Sequence, residues 1–190
     1  MHQWYSERRR AIFRGDAGCG AEEELLAALK EKIRNETNEE VARSLKFTLA
    51  GEYEFQERYA EAEATLLKLM DETPDEPFPL ISLASQKLYA EQNPQAAMPI
   101  IDKALEIAYR TGIFRRLALG NKARIALALK SYAVVEDVLR QLMDLRFGRE
   151  HVDCGIERDF FDRLPAGVID EEISRRYDEF TGERPQPQRS

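Results

Sequence analysis

The side chains best suited to chemistry are two histidines and two cysteines, His2, Cys19, His151 and Cys154. In the run His151-Val152-Asp153-Cys154 three metal-competent groups fall within four residues. A zinc site takes four ligands at spacings such as paired C-x-x-C, and a single H-x-x-C supplies half of that at most. A cysteine nucleophile needs a histidine beside it, which leaves His151 near Cys19, or His2 near either thiol. The 35 acids make many carboxylate pairs, but none stands in a glycine-rich or apolar setting that would tune it for proton transfer. Gly15-Asp16-Ala17-Gly18-Cys19-Gly20 leads into Ala21-Glu22-Glu23-Glu24 rather than Gly-Lys-Ser/Thr, and those acids would repel a phosphate. These residues predict no catalytic site, no metal and no cofactor, and hence a protein that is not an enzyme.

Composition narrows the partners. Of 190 residues, 43% are apolar and 33% charged, so the chain can bury a core. A net charge of −7 argues against duplex nucleic acid as the main partner. No apolar run reaches the roughly 18–20 residues of a membrane span. Ile12-Phe13 is too short for the apolar centre of a secretory signal, so a cytoplasmic protein with reduced cysteines is expected. Residues 1–20 read as an arm. Either Trp4, Tyr5, Ile12 and Phe13 pack while Arg8-Arg9-Arg10 face solvent, or the end frays. Residues 181–190 read as a disordered tail.

Between Ala21 and about Phe180 two-residue alternation is absent and good helix formers dominate. Leu25, Leu26, Leu29 and Ile33 lie on one face of a first helix. Asn38 before Glu39-Glu40 predicts an N-cap for a helix to about Gln56. Breakers recur at Thr73-Pro74-Asp75, Asn93-Pro94, Thr111-Gly112 and Lys130-Ser131, at the spacing of four-turn helices joined by short turns.

The helices also repeat. Tyr59-Ala62-Leu66-Leu69, Pro94-Ala97-Ile101-Ala104 and Tyr132-Val135-Leu139-Leu142 share steps of 3, 4 and 3. Upstream of each, Leu49-Ala50 with Tyr53, Ala84-Ser85 with Leu88, and Lys122-Ala123 with Ala126 stand at matched distances. The anchor position moves by 35 and then 38 residues. A small residue on each helix lets two members of a hairpin approach closely.

On these residues the chain resembles the tetratricopeptide repeat (TPR) family, a helix–turn–helix unit of 34 residues. The first repeat matches best, with Leu49-Ala50, Tyr53, Tyr59, Ala62, Leu66 and Pro74 at the family's Leu-Gly, Tyr, Tyr, Ala, Phe and Pro. In the second, Pro94 replaces the aromatic and Tyr109 the closing proline. In the third, Lys122-Ala123 and Val135 stand at the Leu-Gly and key alanine positions. The resemblance implies an all-α, right-handed α-solenoid of about three helical hairpins with N- and C-terminal capping helices; an unrelated helical bundle is the alternative. The expected organisation is an arm over 1–20 and a helical repeat domain over 21–180. Its repeats cover about 43–76, 77–112 and 113–147, and a C-terminal cap covers 156–180.

The resemblance further implies a concave groove lined by Phe47, Gly51, Glu54 and Phe55, by Ser82, Gln86 and Tyr89, and by Gly120, Arg124 and Leu127. Of these, Phe47, Phe55, Gln86, Tyr89 and Arg124 are the expected peptide-binding residues; packing against the capping helix is the other role open to the aromatics. Phe47, Gly51 and Ser82 stand where some TPR proteins carry the Lys and Asn that clamp a chaperone's terminal carboxylate, so that clamp is absent. Charge is also uneven: residues 51–76 carry a net −7, and residues 103–130 a net +6. The expected function is a non-catalytic interaction module holding a peptide segment or partner helix. The alternative is a self-associating protein, such as a homodimer, whose groove is filled by its own terminal helices or a second copy.

Overall fold

A computed structural model describes residues 2–14, 18, 20–145, 158–173 and 175. His151, Cys154, Cys19, the end of the expected C-terminal cap and the 181–190 tail lie outside them. The described residues are helical, without strands. The chain divides into two compact units, 1–69 and 70–190.

The first unit contains α1 (His2–Phe13), α2 (Ala21–Asn35), α3 (Glu39–Phe55) and most of α4 (Tyr59–Glu72). Asn38 caps α3 as its sequence position implies: Oδ1 accepts from the backbone N–H groups of Glu40 and Val41 at 3.0 and 3.2 Å. Leu25, Leu26 and Leu29 of α2 join Leu45, Leu49 and Tyr53 of α3 and Ala62 of α4 in one apolar cluster, with Tyr5 and Ile12 of α1 packed against it. The segment read as an arm is therefore helical, and Arg9 corrects the expectation of a solvent-facing basic run. Its side chain is 17% exposed and its Nε lies 3.1 Å from the buried carboxylate of Glu52.

The second unit contains α5 (Phe78–Ser85), continued by a π-helical turn over Gln86–Ala90, then α6 (Pro94–Thr111), α7 (Arg115–Ala128), α8 (Tyr132–Asp144) and the short α9 (Arg158–Asp162). Asn93 accepts from Ala96 N–H at 3.1 Å, and Pro94 at the helix start has no N–H to leave unpaired. Gly112 ends α6 at φ 81°, a left-handed conformation that glycine adopts without Cβ strain. The repeat anchors Ala97, Ile101 and Ala104 on α6, and Val135, Leu139 and Leu142 on α8, are all buried in one cluster. Phe160 of α9 and Ile173 complete that cluster, and Phe161, Leu164 and Ile169 pack against it.

Tyr59, Pro94 and Tyr132, which open the three four-residue sets of the sequence, are also the first residues of α4, α6 and α8. The residue two positions earlier is left-handed each time: Glu57 at φ 58°, Gln92 at 50° and Lys130 at 56°. Each turn is closed by a backbone bond to the preceding helix, Arg58 N–H to Tyr53 O, Asn93 N–H to Lys87 O and Ser131 N–H to Ala126 O, at 2.7–2.8 Å. One joint is thus built three times on different side chains.

Candidate peptide-binding site

The expected groove residues occupy different settings. In the first unit, Phe47 is half-buried and already engaged, and Gly51 is exposed. Phe55 is 52% exposed, with the Arg9 guanidinium carbon 3.6 Å from its ring centroid. Between them Glu52 is 1% exposed. Its Oε1 accepts the Tyr5 hydroxyl at 2.5 Å and faces Arg9 Nε, so α1 is tied to α3 through one carboxylate oxygen. Glu52 Oε2 and Arg9 Nη1 are buried without a hydrogen-bond partner among the described residues. Burial, followed by the hydrogen bond and charge of Glu52, pushes the Tyr5 phenol up to about 12. Burial alone raises the Glu54 carboxyl above its ordinary value.

In the second unit, Gln86 is buried, and its amide donates to Glu91 Oε1 at 3.0 Å. Lys87 Nζ donates to both oxygens of the same carboxylate at 2.9 and 3.1 Å. These bonds, that of Lys87 foremost, hold the Glu91 carboxyl below its usual range. Ser82 and Leu127 are half-buried, and Gly120 is buried. Ser85 Oγ donates to Asn121 Oδ1 at 2.8 Å while Asn121 Nδ2 donates to Leu117 O at 2.9 Å, which joins α5 to α7.

Tyr89 and Arg124 come together. With Leu88, Leu127, Ala128, Lys130, Tyr132, Phe160 and Arg163 they line a pocket of about 520 Å³. Among its described lining residues three side chains are cationic, three are aromatic and none is acidic. Three bases of the 103–130 stretch are satisfied elsewhere: Arg110 pairs with Asp75 at 2.6 Å, Lys122 with Asp102 at 2.7 Å, and Arg115 donates to the Ala108 and Tyr109 carbonyls. Arg124 and Lys130 have no acidic partner among the described residues. Tyr89 is 58% exposed, the most exposed large apolar side chain among the described residues. The groove positions implied by the family resemblance did not include Tyr132, Phe160 and Arg163. Tyr132 opens the partner helix, and Phe160 and Arg163 belong to the terminal segment, so only folding brings them to the pocket. Among the described residues no three His, Cys, Asp or Glu side chains gather as a metal site, and no helix is long and apolar enough to cross a membrane.

This arrangement of hairpins is a TPR-like helical repeat fold. It is similar over essentially its whole length to two crystal structures of a Podosopora anserina chain described as a kinesin light chain with nearly identical TPR-like repeats. One matches 100% of this chain and 97% of that one at a TM-score of 0.56 and 15% identity. The other, a single-substitution variant, matches 95% and 96% at a TM-score of 0.55 and the same identity. No protein-family model and no curated protein matches the chain.

Proposed function

We propose that the protein is a non-catalytic, cytoplasmic interaction module that needs no cofactor and holds an acidic peptide segment in the pocket of its second unit. The observation that carries this reading is the joining of exposed Tyr89 to Arg124 and Lys130, two cations without acidic partners among the described residues. A carboxylate entering the pocket meets positive charge, and its neighbouring side chains meet Tyr89, Tyr132 and Phe160, whose rigid rings give contact area at small entropic cost. A TPR-like fold supports a protein-interaction or scaffold role in general terms.

The test is the double variant Tyr89→Ala with Arg124→Glu, probed on an array of synthetic acidic peptides beside their Gln/Asn counterparts. The natural chain should retain acidic peptides selectively, and the variant should lose that selectivity with an unchanged melting curve. Retention by the folded variant equal to that of the natural chain would sink the site.

The first unit favours a second reading for its own face of α3. Arg9 stacks on Phe55 and pairs with Glu52, so the protein's N-terminal helix already occupies residues that a partner would contact. In the self-associating reading a second copy adds to this self-filled face, and light-scattering mass across a salt series tests that part: a dimer that dissociates in salt supports it, and a monomer at every salt concentration leaves the face filled by the chain's own α1 alone.

A further inference from the structure

On the first unit, α2, α3 and α4 each turn one helical face to a pocket of about 440 Å³. Lys30 and Ile33 are neighbours on α2, as are Lys46, Leu49 and Tyr53 on α3, and Glu61, Ala64, Thr65 and Lys68 on α4. Leu49 and Tyr53 are buried and Ile33 half-buried, which gives the pocket an apolar floor. Each helix adds one ammonium, from Lys30, Lys46 and Lys68.

Lys46 is itself engaged, the charge of Lys30 also acts on Glu61, and the other polar groups of the lining are occupied. Glu61, the only acid among the described lining residues, is held by Arg58, with Nε at 2.8 Å and Nη2 at 2.6 Å, and this pairing lowers the Glu61 carboxyl below its usual range. The Thr65 hydroxyl donates to the Glu61 carbonyl at 2.7 Å. Lys30 Nζ lies 5.4 Å from the centroid of the Tyr53 ring, so one cation stands over the apolar floor itself. Within a chain of net charge −7 this is a positive, open groove with an apolar floor.

That combination selects a ligand class. An inorganic anion would meet hydrated ammoniums and leave the floor wet, whereas a neutral apolar molecule would gain nothing from the lysines. A molecule with an apolar body and one anionic head uses both, and the volume lies within the range of small-ligand pockets. We propose that this pocket binds a small amphipathic anion, a carboxylate or sulfonate carried on an alkyl or aryl body. The site shares no residue with the Tyr89–Arg124 pocket, so each stands or falls alone.

The probe is anilinonaphthalene sulfonate titrated into the full chain, followed by competition with decanoate and with decylamine. Saturable fluorescence is expected, displaced by decanoate and not by decylamine. Lys30→Glu with Lys68→Glu should weaken dye binding about tenfold or more, while Arg124→Glu should leave it unchanged. Circular dichroism on each variant separates loss of binding from loss of fold. Equal displacement by the two competitors, or undiminished binding by the folded Lys30→Glu, Lys68→Glu variant, would overturn the proposal. So would loss of binding in Arg124→Glu, which would move the dye to the other pocket.

Discussion

The two units solve the problem of a polar group inside helix packing in opposite ways. In the first, the group is a charge: Glu52 of α3 is almost wholly buried and depends on Tyr5 and Arg9, both from α1 and more than forty residues away in sequence. In the second, the groups are neutral: Ser85, Asn121 and the Leu117 carbonyl satisfy one another between α5 and α7. A neutral network asks only that two hairpins stack. A buried carboxylate loses its hydration and needs a cation brought to it, so the first unit depends on a helix outside the repeats. The difference suggests that α1 is as much a part of the first unit's core as the hairpin it covers.

The sharpest way to break this contrast is Glu52→Ala, which strands Arg9 and the Tyr5 hydroxyl. We expect a loss of about 3 kcal/mol in urea unfolding, with faster hydrogen exchange in α1; an unchanged midpoint would mean that α1 is not anchored there. Next comes Ala62→Trp, at a position with no exposed surface in the apolar cluster of the first unit. Overfilling it should cost about 1–3 kcal/mol, and an unshifted melting curve would argue against the repeat register. Asn121→Ala deprives Ser85 of its acceptor and should cost about 1 kcal/mol; a loss matching that of Glu52→Ala would erase the distinction between the units. The smallest effect is one of pH. Because the folded Tyr5 phenol is raised to about 12, whereas an unfolded tyrosine ionises near 10, its contribution is complete below pH of about 10 and is lost as pH rises towards 12. Tyr5→Phe should remove that part of the alkaline decline, read as the difference between the two proteins' stability profiles.

Much of the fold was legible because its signals are local. Asn38 and Asn93-Pro94 mark helix starts through their own side chains and ring, and the 3-4-3 triplets mark buried faces through helical spacing alone. The turn between α3 and α4 carried no such mark, since Gln56-Glu57-Arg58 contains no glycine, proline or asparagine and its left-handed residue is a glutamate. α1 was less legible for another reason. Tyr5, Arg9 and Ile12 do fall at helical spacing, but the carboxylate that gives them a purpose lies on α3. Of the candidate site, Tyr89 and Arg124 were reached only through the family resemblance, by carrying its groove positions onto this chain. Gln86 opens a π-helical turn, where a 3.6-residue period no longer assigns faces, and the structure buries it. Phe160 and Arg163 belong to a segment whose place only tertiary packing decides.

The repeated joint has a consequence for how such a protein can change. Glu57, Gln92 and Lys130 all adopt a left-handed backbone that L residues ordinarily avoid. An acid, an amide and a base serve equally, so the hairpin imposes the conformation and leaves the choice of side chain open. Lys130 makes use of that freedom, because the residue that closes its hairpin also borders the Tyr89–Arg124 pocket. A single replacement at this joint can therefore reverse or remove a charge in the pocket without altering a buried contact, and the chemistry offered there can drift while the architecture stays put.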